Sequence, residues 1–110
     1  MTTMDEHGNI KCIAGDTFDL HLVDIKEDEI IIDWTDWKHE LKVFKQSGGQ
    51  TILSFDETDG IDTSIPGVLR FRKEHEDTDI QIGKYYFDWV ITRPDGTIQT
   101  WINNKTFLVE

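Results

Sequence analysis

Alternation of apolar and polar residues narrows most sharply what this chain can fold into. Successive side chains of a β-strand point to opposite faces, so a period of two marks a strand buried on one side. Phe18, Leu20 and Leu22 alternate with Asp19 and His21. Trp37, His39, Leu41 and Val43 alternate with Lys38, Glu40 and Lys42, and Phe44 follows. Gly83 opens a longer segment in which Tyr85, Phe87, Trp89 and Ile91 share one face and Tyr86, Asp88, Val90 and Thr92 the other. Shorter strands are expected over 10–14, 51–55 and 68–72. The strand over 97–102 is expected to break or bulge at Asn103-Asn104 before resuming over 105–109. No segment holds a sustained helical stripe. The inward set predicted from these patterns is Phe18, Leu20, Leu22, Leu41, Val43, Phe87, Trp89 and Ile91.

The punctuation agrees. Gly15-Asp16 and Gly48-Gly49 are turn signals, and in Arg93-Pro94-Asp95-Gly96 proline presets φ while glycine accepts a positive one. Glu74 to Ile80 reads as a polar helical turn or a loop crossing between sheets. Between the second and third strands, Asp24 to Asp36 carries six acids, with Ile30, Ile31 and Ile32 in its middle, either tucked under the sheets or forming a short edge strand. About seven strands with turn signals every ~8–12 residues predict an all-β fold, an antiparallel sandwich. It would occupy residues 10–110, behind an N-terminal tail over 1–9.

A chain of 110 residues has room for one core. Its twelve aromatic residues supply the apolar area that such a core needs. The 22 acidic residues against 11 basic ones give a net charge of −11. That argues against nucleic acid, whose binding needs a basic face, and against anionic membrane surfaces. Only Arg70, Arg72 and Lys73 cluster, and Glu74, Glu76, Asp77 and Asp79 follow at once. The stretch Met1 to Asn9 is polar and acidic, unlike a signal or transit peptide. Cys12 is the only cysteine, so no intrachain disulfide forms, which suits a reducing compartment.

Chemistry-bearing patterns are sparse. His7, His21, His39 and His75 lack metal-ligand spacing. Asp56, Glu57, Asp59 and Asp62 gather oxygens, but Thr58 and Gly60 stand where a calcium loop needs acids, so a solvated turn is the better reading. Ser47, Ser54 and Ser64 lie in no nucleophile-elbow context, and Cys12 is expected to be a buried, inert thiol. The expectation is a non-enzymatic protein with no catalytic residues, metal or cofactor. Trp37 and Trp89 belong to apolar strand faces, with His39 expected to be a satisfied, semi-buried neighbour. Trp34 and Trp101 are less clearly inward, and an exposed indole suits a protein interface. The expected partner-binding set is therefore Ile30, Ile31, Ile32, Trp34 and Trp101.

Three stretches carry a family likeness. Gly15-Asp16-Thr17-Phe18-Asp19-Leu20 pairs a Gly-Asp turn with an opening strand, and Asp33-Trp34-Thr35-Asp36-Trp37 turns into the next one. Gly83-Lys84-Tyr85-Tyr86-Phe87-Asp88-Trp89 is followed by a Pro-Asp-Gly hairpin. Together they resemble the small immunoglobulin-like domains of tailed-bacteriophage structural proteins, such as baseplate upper proteins and related tail or virion components. Trp34 and Asp36 depart from that pattern, which has an aliphatic residue and a glycine at those places. The resemblance implies an immunoglobulin-like β-sandwich with an architectural role in a virion, assembled in the bacterial host cytoplasm. Its partners would be other virion proteins with more basic surfaces, or further copies of itself on the particle. A carbohydrate- or receptor-binding module is the alternative. Tyr85, just after the Gly83 corner, stands where a tyrosine-corner hydroxyl bonds back to upstream backbone in many sandwiches.

Overall fold

The computed structural model describes residues 2–46 and 48–110, so Ser47, weighed above as a nucleophile, lies outside them, as does Met1 of the N-terminal tail. Among the described residues there is no helix. Eleven strands follow in chain order: β1 (Thr3–Met4), β2 (Ile10–Cys12), β3 (Phe18–Val23), β4 (Lys26–Glu27), β5 (Ile30–Ile31), β6 (Lys38–Phe44), β7 (Thr51–Phe55), β8 (Ile61–Asp62), β9 (Val68–Lys73), β10 (Gly83–Thr92) and β11 (Ile98–Val109). Four of these are only two residues long, too short for a sequence period to reveal, which accounts for the excess over the expected seven.

The strands form a six-stranded sheet, β1-β2-β11-β10-β6-β7, a three-stranded sheet, β3-β9-β8, and the small β4-β5 hairpin. Ring contacts join the first two sheets face to face. Phe18 of β3 packs on Phe55 of β7 at 5.0 Å and on Phe107 of β11 at 5.8 Å. Phe71 of β9 meets Phe55 at 5.9 Å and Trp89 of β10 at 5.6 Å. Of the expected inward set only Leu22 is less than fully buried, and it still packs against the core.

Two features depart from the expected layout. β2 runs parallel to β11, with Ile10 opposite Phe107 and Cys12 opposite Val109, and Glu110 N donating to Cys12 O continues the ladder. The chain leaves β2 for the other sheet and returns to it only at its far end, so this pairing has no local turn to announce it. The expected tail is also structured: Thr3 and Met4 pair with Lys11 and Ile10.

Between β10 and β11 the ladder slips twice. Asn103 and Asn104 stand against Asp88 alone, Asn104 taking φ 56° while its N–H donates to the Asp88 carboxylate. Asparagine tolerates that left-handed geometry, so the expected break is a bulge within one continuous strand. The segment 74–80 is a loop crossing from β9 to β10, held by Thr78, whose hydroxyl donates to Asp16 O and whose carbonyl accepts from Gly15 N.

The Tyr85 hydroxyl donates to Gln81 O at 2.6 Å, and the ring is buried. Replacing Tyr85 with Phe should cost about 0.5–1.5 kcal/mol, the net worth of one such bond. Urea unfolding should show the midpoint falling with an unchanged slope.

Candidate interaction surface

Three loops meet at one end of the sheets: 24–37 between β3 and β6, 63–67 between β8 and β9, and 93–97 between β10 and β11. Asp24 N donates to Gly67 O at 3.1 Å. Gly67 has φ 78°, and a first side-chain carbon placed there would lie 3.4 Å from Ile31 Cγ2. The Arg93 guanidinium forks onto Glu27 at 2.6 and 2.5 Å, reaches Gln99 at 2.8 Å, and lies 4.8 Å over the Trp37 ring. Those bonds from Arg93 hold the Glu27 carboxyl below its ordinary pKa. The β4-β5 hairpin turns through Asp28 and Glu29, at φ 53° and 65°, the doubly left-handed geometry of tight hairpins that glycine or asparagine usually fills.

This arrangement divides the five residues expected to bind a partner. Ile30 and Ile31 stand on the hairpin, 72% and 46% exposed. Ile32 and Trp34 do not face solvent: Ile32 is buried, and Trp34 is only 1% exposed. Asp33 causes the inward turn. Its carboxylate accepts from the Thr35 N–H and hydroxyl, while Trp37 N donates to Trp34 O, so the segment folds back and drives the indole into the end of the core. Trp101 is half-buried. The second slip, at Trp89/Val90, leaves it as the extra residue and lets its ring join Trp34, Trp37 and Trp89 at 5.4–5.8 Å. Trp34 and Trp101 therefore belong to a tryptophan cluster that closes the core, with Trp34 fully covered and Trp101 partly exposed.

The sequence reading missed a neighbouring aliphatic group. Val23 and Ile65 are 58% and 60% exposed, and with Val68 they line a hollow of about 170 Å³ rimmed by His21, Asp62 and Arg70. The signal was present in two places, the double Leu22-Val23 at the end of an alternating strand and the isoleucine in Ser64-Ile65-Pro66-Gly67. Ile30, Ile31, Val23 and Ile65 thus place exposed aliphatic groups among Asp24, Asp28, Glu29 and Asp62. Such a patch is suited to apolar contact with charge setting the approach.

Elsewhere the acids are occupied locally. Asp56 accepts from Thr58 N, Thr58 Oγ1 and Asp59 N, Asp59 pairs with Lys73 at 2.8 Å, and Asp62 accepts from Ser64 N. The carboxylates of the 56–62 turn therefore point to different partners rather than to one centre. Cys12 is buried, which pushes its thiol up to about 11. Arg70 forks onto Asp19 at 2.9 Å and Arg72 reaches Glu74, so the small basic cluster is also paired. No protein-family model matches the chain, and no curated protein matches it.

His39 is more deeply placed than expected, 2% exposed, and only one of its nitrogens is served among the described residues. Nδ1 accepts from Trp89 Nε1 at 3.2 Å, while His39 Nε2 and Trp34 Nε1 have no hydrogen-bond partner there. Burial pulls the imidazole down to about 4. Above its unfolded value of about 6.5 the ring is neutral in both states. As pH falls from there towards 4, the unfolded chain takes up a proton that the folded one refuses, so stability drops by roughly 3 kcal/mol and then levels for this group. His39→Gln, which keeps an acceptor for Trp89, should flatten the plot of unfolding free energy against pH between 6.5 and 4. Trp34→Ala should destabilise by about 3–5 kcal/mol, the usual cost of emptying a buried indole site, seen as a large fall in urea midpoint.

Proposed function

We propose that this chain is an immunoglobulin-type β-sandwich acting as a non-enzymatic structural component of a bacteriophage virion, in the tail, baseplate or capsid. Its contacts with neighbouring virion proteins would run through the three-loop end. Two features support the immunoglobulin type. With β3 as B, β6 as C, β7 as C′, β8 as D, β9 as E, β10 as F and β11 as G, the order G-F-C-C′ faces B-E-D, as in that fold. The Tyr85 hydroxyl bond to Gln81 O, at the start of F, has the geometry of a tyrosine corner.

The contact role rests on one observation, the exposed Ile30, Ile31, Val23 and Ile65 on a loop end braced by Arg93–Glu27 and Asp24–Gly67. Loops fixed on a rigid scaffold are where sandwich domains usually bind. The surrounding carboxylates favour partners with basic surfaces. The virion setting is carried by the motif resemblance of 15–20, 33–37 and 83–96, which fall on β3, the loop before β6, and β10 with its turn. The carbohydrate-binding alternative gains no support from the tryptophans, because the four indoles pack edge-on against one another.

The test is to purify particles made with the wild-type chain or with Ile30→Asp and Ile31→Asp together, and to quantify this protein in each. Wild-type particles should contain it at fixed stoichiometry. The double variant should be strongly depleted, although circular dichroism shows the free domain folded. Absence of the wild-type protein from particles overturns the virion reading, and full occupancy by the double variant overturns the hairpin contact.

A further inference from the structure

The geometry points to a second copy of this chain as the partner of the free edge of β3, joined through antiparallel β3–β3 pairing. This inference does not rest on the virion reading, although Val23 belongs both to this edge and to the patch beside it. Among the described residues β3 pairs only with β9. Asp19 N is turned away from β9, donating to Thr2 Oγ1 at 3.4 Å, and Arg72 N is turned towards β8, donating to Gly60 O. Hydrogen bonding alternates along an antiparallel pair, so Phe18, Leu20 and Leu22 bond to β9 while Asp19, His21 and Val23 present N–H and C=O groups on the outer edge. Among the described residues, the long side-chain contact from Thr2 is the only hydrogen bond to that edge from outside β3 and β9. β3 also lacks the lysine, proline or bulge by which edge strands commonly prevent such pairing.

The edge is self-complementary. With a two-fold axis at Leu20, Asp19 of one copy stands opposite His21 of the other, and Phe18 opposite Leu22. Asp19 and His21 both present edge-facing backbone groups, so each such pair exchanges two backbone hydrogen bonds. Their side chains share the outer face, where imidazole donates to carboxylate, as His21 and Asp19 already do at 2.9 Å within one strand. Leu22, incompletely buried in the single copy, gains cover from Phe18 of the second. The result is one continuous sheet, β8-β9-β3 joined to its symmetry mate.

At the centre of the pairing the Asp19 carboxylate is already held by Arg70, so in a chain with net charge −11 the carboxylates that oppose one another, Asp16 and Asp24, lie only at its two ends.

Sedimentation equilibrium over a wide concentration range should show monomer giving way to dimer. The dimer should strengthen with added salt, which screens the remaining repulsion between acidic copies. Hydrogen exchange followed by NMR should show the amides of Asp19, His21 and Val23 gaining protection as concentration rises, with other strands unchanged. His21→Pro deletes an edge-facing N–H but no β3–β9 bond, and proline is tolerated at such positions. It should be monomeric at concentrations where the parent is dimeric, with the same circular dichroism spectrum. A parent that stays monomeric up to its solubility limit overturns the proposal. Dimerisation without protection at those three amides, or undiminished in folded His21→Pro, overturns it equally by placing the contact elsewhere.

Discussion

An unbroken run of aromatic rings ties the molecule together. It passes from Phe87 to Phe107, Phe18, Phe55, Phe71, Trp89, Trp101, Trp34 and Trp37, each ring within 6.3 Å of the next. The path crosses from the six-stranded sheet to the three-stranded sheet and back, twice, and ends under the loop 24–37. Aromatic side chains bury the largest area per residue, and tilted or edge-on pairs add to that burial. A small domain without a disulfide depends on this kind of density. The tryptophan end of the run also fixes the floor on which the three loops rest, so the shape of the candidate surface follows from core packing.

The strands that supply most of those rings are legible in the sequence because their periods are long and regular. Phe18 to Leu22, Trp37 to Val43 and Tyr85 to Ile91 each give several turns of alternation with polar partners, and their faces lie where the pattern puts them. The turn at 93–96 is legible through proline and glycine. The two-residue strands are not, since two residues cannot display a period. Nor is the parallel β2–β11 pairing, in which Ile10 and Phe107 are 97 positions apart with no local turn relating them.

The site was legible only in part, and the reason differs by residue. Ile30 and Ile31 sit among acids and are exposed on a short strand, the second of the two placements the sequence left open. Trp34 sits between Asp33 and Asp36 and is buried, because Asp33 spends its carboxylate on the backbone of its own turn instead of on water. Flanking charge is therefore a poor guide where a short polar side chain can fold the chain back on itself. Trp101 was ambiguous for another reason: a bulge resets the alternation, so counting by twos through 97–102 assigns its face wrongly. Val23 and Ile65 needed the tertiary structure, since only the approach of 63–67 to β3 makes two isolated aliphatic residues into a patch.

The lone cysteine gives this chain a built-in clock. Cys12 lies in β2 beside Val109, buried, with its thiol raised to about 11, so at pH 7 only roughly one part in ten thousand is thiolate in the folded state. A bulky thiol reagent can reach the sulfur only when the core around β2 opens, and lifting of β2 from β11 is the smallest such opening. The labelling rate therefore measures how often that parallel seam, the longest-range pairing in the sheet, comes apart. It reports on one place in the molecule without any introduced probe, and it separates local fraying at the seam from global unfolding by whether denaturant accelerates it.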